Sequence, residues 1–246
     1  MLIDEYAIRP LNRHYEGAYD HSQLEWRRIA ANDKVENIQR LLKSRRVATV
    51  LEVGCGTGAV LAEMARRGIG ATHCGVDLAD PREHIHPGAE GFDLRTYDGE
   101  RLPFGDRSFD LVVATHVVEH VPHPRQFIAE LSRVCAGFIY VEVPCEIRIF
   151  PNHRKIQLAL DTGHINGYTP EYFLILLQTS ELQIQEFQLF DHSREVYLFN
   201  DPGVLGRLKL GLRRFTMRCS PLVASRLFCY HCGALALPRQ GHHTNA

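Results

Sequence analysis

The sequence has no apolar stretch approaching the length of a membrane span, and Met1 is not followed by the basic, apolar and small-residue order of a secretory leader. It also lacks a charge excess. Its 28 basic and 29 acidic residues leave a net charge of -1, so any basic surface must be local and no nucleic-acid partner is expected. The seven cysteines, an odd number scattered from Cys55 to Cys232, fit reduced thiols better than a disulfide framework. No internal repeat or low-complexity tract is present. These absences together set the expectation of a cytoplasmic protein. What is present is 246 residues, 45% of them apolar, which is enough for one domain with a full core.

From Val47 onward, strand and helix patterns alternate, which predicts an α/β fold with a mostly parallel sheet and helices on both faces. Strands are expected over Val47–Val53, Ala71–Asp77, Leu94–Asp98, Ser108–Ala114, Gly137–Pro144, Leu182–Phe190 and Phe228–Leu237. Helices are expected over Ser22–Lys43, Ala59–Arg67, Pro124–Val134 and Pro170–Ser180. The first of these helices carries Leu24, Ile29, Ile38, Leu41 and Leu42 at roughly helical spacing, with Ser22 as N-cap, and should lie over the ligand site. The segment Cys145–Thr169 is too long and polar for a simple turn, and such connections often serve as lids. The expected organisation is an N-terminal helical cap (1–46), a core (47–200), a basic helical insert (201–227), a last strand (228–238) and a flexible tail (239–246).

The most informative run is Val50-Leu-Glu-Val-Gly-Cys-Gly-Thr-Gly58, where an apolar strand meets an acid and three spaced glycines. Gly54, Gly56 and Gly58 let the backbone turn sharply and approach a ligand without Cβ interference, which reads as a nucleotide-cofactor loop. Gly54-x-Gly56-x-x-Ala59 also satisfies the loose dinucleotide pattern of dehydrogenases, so the glycines alone leave two cofactor classes open. Glu52 shifts the balance, because an acid is poorly suited to a pyrophosphate and well suited to the ammonium of a methionine moiety. Asp77 lies about 20 residues beyond the glycines, the separation expected for a carboxylate on ribose hydroxyls.

The run Leu51–Gly58 resembles motif I of the class I S-adenosylmethionine (SAM) methyltransferases. Asp98-Gly99, the passage Leu102-Pro103-Phe104 to Ser108–Ala114, and Thr115–Pro124, which is similar to the "xxEHVPDP" passage of that family, extend the resemblance over about residues 35–190. The resemblance implies a doubly wound, seven-stranded, mostly parallel Rossmann-like sheet with a reversed last strand. It implies SAM as cofactor, becoming S-adenosylhomocysteine, and a cofactor-binding set of Glu52, Gly54, Cys55, Gly56, Gly58, Asp77, Leu78, Asp98, Gly99 and Thr115. In it, motif I holds the methionine end, Asp77 the ribose and Asp98 the adenine amine.

A sulfonium is a good leaving group, so methyl transfer needs positioning above all, and an oxygen acceptor adds the need for a base. Candidates near the ends of the fourth and fifth strands are His116, Glu119, His120, His123, His153, His164 and Tyr168. His164, in a passage similar to the family's "GHxxxFTP", is the leading base; His116 and His120 complete the expected catalytic set. His116, Glu119 and His120 form H-x-x-E-H. Ubiquinone-biosynthesis O-methyltransferases place an "ExxEH" passage here that is associated with a divalent cation, but His116 at the first acidic position weakens a hard-cation site, and no metal is expected. Tyr19 and Trp26 read as staples of the leading helix. Cys229-x-x-Cys232 has no second pair, and in a strand the two sulfurs would face opposite sides.

The least family-like stretch is 201–227, where Arg207, Lys209, Arg213, Arg214, Arg218 and Arg226 face only Asp201. On a helix, Val204, Leu208, Leu212 and Phe215 form one stripe and the cations occupy the remaining surface. The plain reading is a solvated helix packed on the domain. The sharper one is a basic amphipathic element, over 203–227, that meets an anionic membrane surface or an anionic acceptor. The function expected is methyl transfer to a small-molecule acceptor at oxygen. The alternatives are N- or C-methylation of a sugar or of a lipid-linked or phosphorylated acceptor, an NAD-binding oxidoreductase, and a non-catalytic SAM-binding protein.

Overall fold

A computed structural model describes residues 21–148 and 153–239. Tyr19, the side chains of Ser22 and His153, and the tail with His242 and His243 lie outside the described residues. The chain runs α1 (His21–Leu42), β1 (Thr49–Val53), α2 (Ala59–Arg66), β2 (Thr72–Asp77), a 3-10 turn (Pro81–His84), β3 (Asp93–Thr96) and β4 (Phe109–Thr115). It continues as α3 (Pro124–Val134), β5 (Cys135–Cys145), α4 (His153–Asp161), α5 (Pro170–Gln178), β6 (Leu182–Phe190), α6 (Arg194–Asn200), α7 (Val204–Cys219), α8 (Pro221–Leu227) and β7 (Tyr230–Pro238).

The seven strands form one sheet in the order β3-β2-β1-β4-β5-β7-β6. β1 to β5 are parallel, and β7 enters antiparallel between β5 and β6. This is the doubly wound sheet with a reversed last strand that the sequence predicts. The order reverses on either side of β1, and in open α/β sheets such a switch point opens a ligand crevice at the carboxyl ends of the strands.

Side chains alternate across a strand, so each strand feeds two cores. On one face, Leu51, Val112, Val141 and Cys232 pack with Ile128 and Leu131 of α3 and Phe173 of α5. On the other, Val50, Leu111, Tyr140 and Leu235 pack with Val35 and Ile38 of α1 and Leu61 and Met64 of α2. The same alternation sends Glu52, Glu142 and His231 to the face covered by α1. The expected elements are present with ends displaced by a few residues. β3 stops at Thr96, which leaves Asp98 in the following turn, while α4 lies within the expected lid and α6 was not anticipated.

The insert forms α7 and α8, but its faces differ from the expectation. Arg213 is not one of the surface cations. It is buried, its guanidinium is bound to Asp191 and donates to the Cys229 carbonyl at 2.8 Å, and it sits over the Tyr230 ring at 4.4 Å. Gly206 and Leu210 are buried on the same side. The apolar stripe therefore points outward: Val204, Leu208 and Phe215 are 74%, 67% and 65% exposed. Cys232 lies with its Sγ 3.1 Å from that of Cys145, across β5 and β7, rather than pairing with Cys229.

Arg213 is the polar anchor of α7, and removing one partner of a buried ion pair leaves the other charge uncompensated. Arg213→Ala is expected to lower unfolding stability by about 3 kcal/mol in a denaturant titration. Arg207→Ala, on the exposed side, is expected to change it by less than about 0.5 kcal/mol.

Candidate active site

The loop between β1 and α2 is shaped by its glycines. Gly54, Gly56 and Gly58 have φ of 77°, 53° and 78°, in the left-handed region where a Cβ is strained. A Cβ on Gly54 would lie 2.4 Å from Val117 Cγ2, so the loop and the turn after β4 are in direct apposition. A Cβ on Gly56 would lie 2.9 Å from the Arg27 guanidinium, which α1 extends over the loop. The amides of Gly54 and Cys55 donate to the Val76 carbonyl at 2.8 and 3.1 Å. Asp77 Oδ2 accepts the Gly56 amide at 2.7 Å, so this carboxylate, expected at a ribose, also fixes the loop.

Leu78 is exposed, and a Cβ on Gly99 would come within 3.0 Å of its Cδ2, so the two border one edge of the crevice. Asp98 Oδ1 accepts the amides of Glu100 and Arg101, both at 2.8 Å, and these bonds hold its pKa below the usual carboxylate value. The Cys55 side chain is buried, with Sγ 2.8 Å from where a Gly75 Cβ would be, which leaves its backbone to face the loop.

Glu52 is buried on the α1 face, and its Oε2 has no hydrogen-bond partner. Burial pushes its pKa up to about 8 against the pull of Lys34, with Asp77 adding to the rise. Burial in turn lowers the pKa of Lys34 against the attraction of Glu52, Glu142 and Glu119. Thr115 Oγ1, at the end of β4, is also buried without a partner. A loop turned by three left-handed glycines, an orphaned carboxylate oxygen and an orphaned hydroxyl fit an adenosyl cofactor bearing an ammonium.

Beyond β4, the H-x-x-E-H residues do not act as one set. His116 turns toward β5 and β7, with its Nε2 3.5 Å from Glu142 Oε1. His231 Nδ1 lies 3.3 Å from the same oxygen, and the two imidazole rings meet edge to face at 4.4 Å. His192 packs on His231 at 4.3 Å. Burial drives His116 down to about 3 and His192 down to about 2, so both are neutral at physiological pH. Glu142 is wholly buried, which opposes its charge, yet His116 and His231 beside it hold its pKa well below the ordinary range.

His120 instead meets His164 edge to face, with ring centroids 4.7 Å apart, and its Nδ1 lies 3.1 Å from the Gly163 carbonyl. His164 Nδ1 lies 2.7 Å from Glu146 Oε2. Burial opposes protonation of His164, but the Glu146 carboxylate outweighs it and raises the pKa. Glu119, between the two groups, is fully buried and pushed up to about 7 by that burial. Tyr168 is buried against Phe173, while His123 stands at the N-cap of α3, outside both groups.

Sequence reasoning passed over Lys34, Glu142, Glu146, His192 and His231. A signal existed for two of them. Glu142 stands inside the apolar run Phe138–Val143, and Lys34 falls on the face that α1 otherwise fills with Ala31, Val35 and Ile38. His192 and His231 carried none, because only the reversed β7 brings them beside β5.

The switch-point crevice, its glycine cradle and the acids at the ends of β1 and β2 define a class I SAM-dependent methyltransferase. A sequence profile described as a methyltransferase domain matches residues 23–186, and the chain belongs to that family. A protein of Mycolicibacterium smegmatis described as a probable SAM-dependent methyltransferase is 29% identical over 153 residues, covering 60% of this chain and 57% of its own. The phosphatidylethanolamine N-methyltransferase of Cereibacter sphaeroides is 41% identical over 96 residues, 37% of this chain and 46% of its own. The chain thus spans 57% and 46% of the length of these relatives. Among solved structures, a phosphoethanolamine N-methyltransferase of Haemonchus contortus in complex with SAM shares the fold. Its TM-score is 0.61 at 12% identity, over 85% of this chain and 53% of that one.

The Glu52 pKa has a consequence for cofactor binding. A bound ammonium favours the ionised carboxylate, so binding should release a proton from Glu52, and affinity for S-adenosylhomocysteine should climb as pH rises toward 8. Calorimetry in two buffers of different ionisation heat should register that proton. Glu52→Gln should bind about tenfold more weakly and lose the pH slope.

Proposed function

We propose that this methyltransferase transfers its methyl group to an oxygen of a small acceptor, with His164 as general base. The observation that carries the reading is the contact between His164 Nδ1 and Glu146 Oε2 at 2.7 Å, on the segment after α4. A base oriented by a carboxylate through one ring nitrogen has the other nitrogen, here Nε2, to take a proton. When bound, SAM supplies an electrophilic methyl on a sulfonium. The chain's own contribution is to hold the acceptor in line with that methyl, to exclude water, and to pass the acceptor's hydroxyl proton to His164. His120 meets the His164 ring edge to face.

A second observation favours an acceptor with an anionic group, lipid-linked or phosphorylated. A cavity of about 460 Å³ opens between α1, α6 and α7; Arg40, Arg194, Arg214 and Arg218 line it together with Asp33, Glu36 and Asp191, of which Glu36 is paired with Arg40 and Asp191 with Arg213. Asn37 and His192 also line it, and they touch Glu142 and His231 respectively. At 100° per residue, Arg207, Arg214 and Arg218 form one row between the outward apolar stripe of α7 and its buried side. Such a helix suits an anionic lipid surface, with the stripe among acyl chains and the arginine row at the headgroups. One of the similar proteins is named for N-methylation of phosphatidylethanolamine, a lipid with an anionic phosphate, which supports the anionic-group part of this reading.

His164→Gln is expected to lower kcat on a hydroxyl acceptor about a hundredfold, with S-adenosylhomocysteine affinity kept. Because Glu146 raises the His164 pKa, kcat/KM should rise with pH through a point above the ordinary histidine value of about 6.5, and Glu146→Gln should move that point down. An unchanged kcat in His164→Gln would remove this base from the reaction. Co-sedimentation with phosphatidylglycerol vesicles should fall severalfold in Leu208→Ser/Phe215→Ser and with added salt; equal binding by wild type and variant would remove the membrane reading.

A further inference from the structure

The geometry points to a divalent transition-metal site formed by His116, Glu142 and His231, which shares only His116 with H-x-x-E-H. We propose that it takes an ion of the zinc type, held by two imidazoles and one carboxylate. The three donor atoms come from the end of β4, from β5 and from β7, and they all lie within 4.8 Å of one another. His116 Nε2 and His231 Nδ1 stand 3.5 and 3.3 Å from Glu142 Oε1. Those separations are long for N–H···O hydrogen bonds, and both His116 Nε2 and Glu142 Oε1 are buried without such a partner. They match the edge of a tetrahedron: donors about 2.1 Å from a zinc ion lie about 3.4 Å apart.

The surrounding groups are arranged as a ligand shell requires. Glu142 Oε2 accepts from Asn37 Nδ2 at 3.0 Å and from the Tyr140 hydroxyl, which leaves Oε1 as the ligating oxygen. Tyr140 reaches Glu142 past Gly233, where a Cβ would lie 2.7 Å from its hydroxyl. His116 Nδ1 faces Glu119 Oε1 at 3.5 Å, so a carboxylate stands on the side of the ring away from Glu142, where a small shift would let it accept from the imidazole. The backbone of His116 is left-handed, with φ of 59°, a cost for a non-glycine residue, and its amide donates to the Glu142 carbonyl at 2.9 Å. That turn carries the imidazole toward β5.

Two histidines with one carboxylate suit zinc, cobalt or iron better than magnesium or calcium, which prefer oxygen. Three protein ligands leave at least one position open, as in catalytic rather than structural sites. Glu142 is fully buried while the histidine side chains retain 18% and 14% exposure, so the site has an accessible side. Val117, next to His116, touches the cofactor loop at Gly54, and His192, next to His231, lines the arginine cavity. The ion would stand between cofactor and acceptor, where it can polarise an acceptor oxygen. Metal binding itself does not depend on the acceptor reading.

The test is titration of metal-stripped protein with Co²⁺, followed by visible absorption, equilibrium dialysis and thermal unfolding. One equivalent should bind with the d–d bands of a four- or five-coordinate ion, be displaced by Zn²⁺, and raise Tm. Tyr140→Phe, which keeps the ligands and removes one support, should bind about ten- to a hundredfold more weakly. His231→Gln should lose the bands. His164→Ala, in the neighbouring group of Glu119 and His120, should keep them. Absence of stoichiometric Co²⁺ in the wild type would overturn the assignment, as would wild-type affinity in Tyr140→Phe and His231→Gln or loss of the bands in His164→Ala. If His231→Gln does not fold, Tyr140→Phe decides.

Discussion

Two carboxylates buried on one face of a sheet set the terms for the rest of the molecule. Glu52 and Glu142 occupy strands whose other side chains on that face are apolar, and neither can be solvated by bulk water. Buried charge is tolerated only with partners, so α1 must lie across this face and bring Lys34 and Asn37 down onto it. The helix that covers this face thus also brings polar groups to its carboxylates. The reversed β7 adds His231 from the other side.

Much of the fold was legible because it rests on local patterns. The run Leu51–Gly58 declares a strand, a turn and a helix start within eight residues, and the alternation of apolar segments gives the doubly wound sheet. Asp77 and Asp98 were legible as ends of strands, although β3 closes before Asp98 is reached. The catalytic region was less so. H-x-x-E-H reads as a single helical face, but the segment is a turn, and His116, left-handed in backbone, joins Glu142 and His231 while His120 joins His164. His164 was found through a motif, whereas its partner Glu146 stands 18 residues earlier and meets it only through the fold of the intervening segment.

The insert shows a different limit. Periodicity places Val204, Leu208, Leu212 and Phe215 on one stripe, and ordinary amphipathic logic would turn that stripe inward. Arg213 reverses the outcome. One guanidinium satisfied by Asp191, a carbonyl and three aromatic rings docks α7 by its opposite side. A helical pattern shows that two faces exist; the chemistry available on the neighbouring surface determines which one is buried.

The placement of β7 also governs the order in which the protein can become functional. Among the described residues, β6 pairs with β7 alone, and β7 follows every other strand in sequence. While residues 230–238 are still being made, β6 has no neighbour and Glu142 has no imidazole from β7 beside it. The cofactor loop, built from β1, β2 and β4, can close earlier. The imidazole of His231 thus reaches Glu142 only once β7 is seated between β5 and β6.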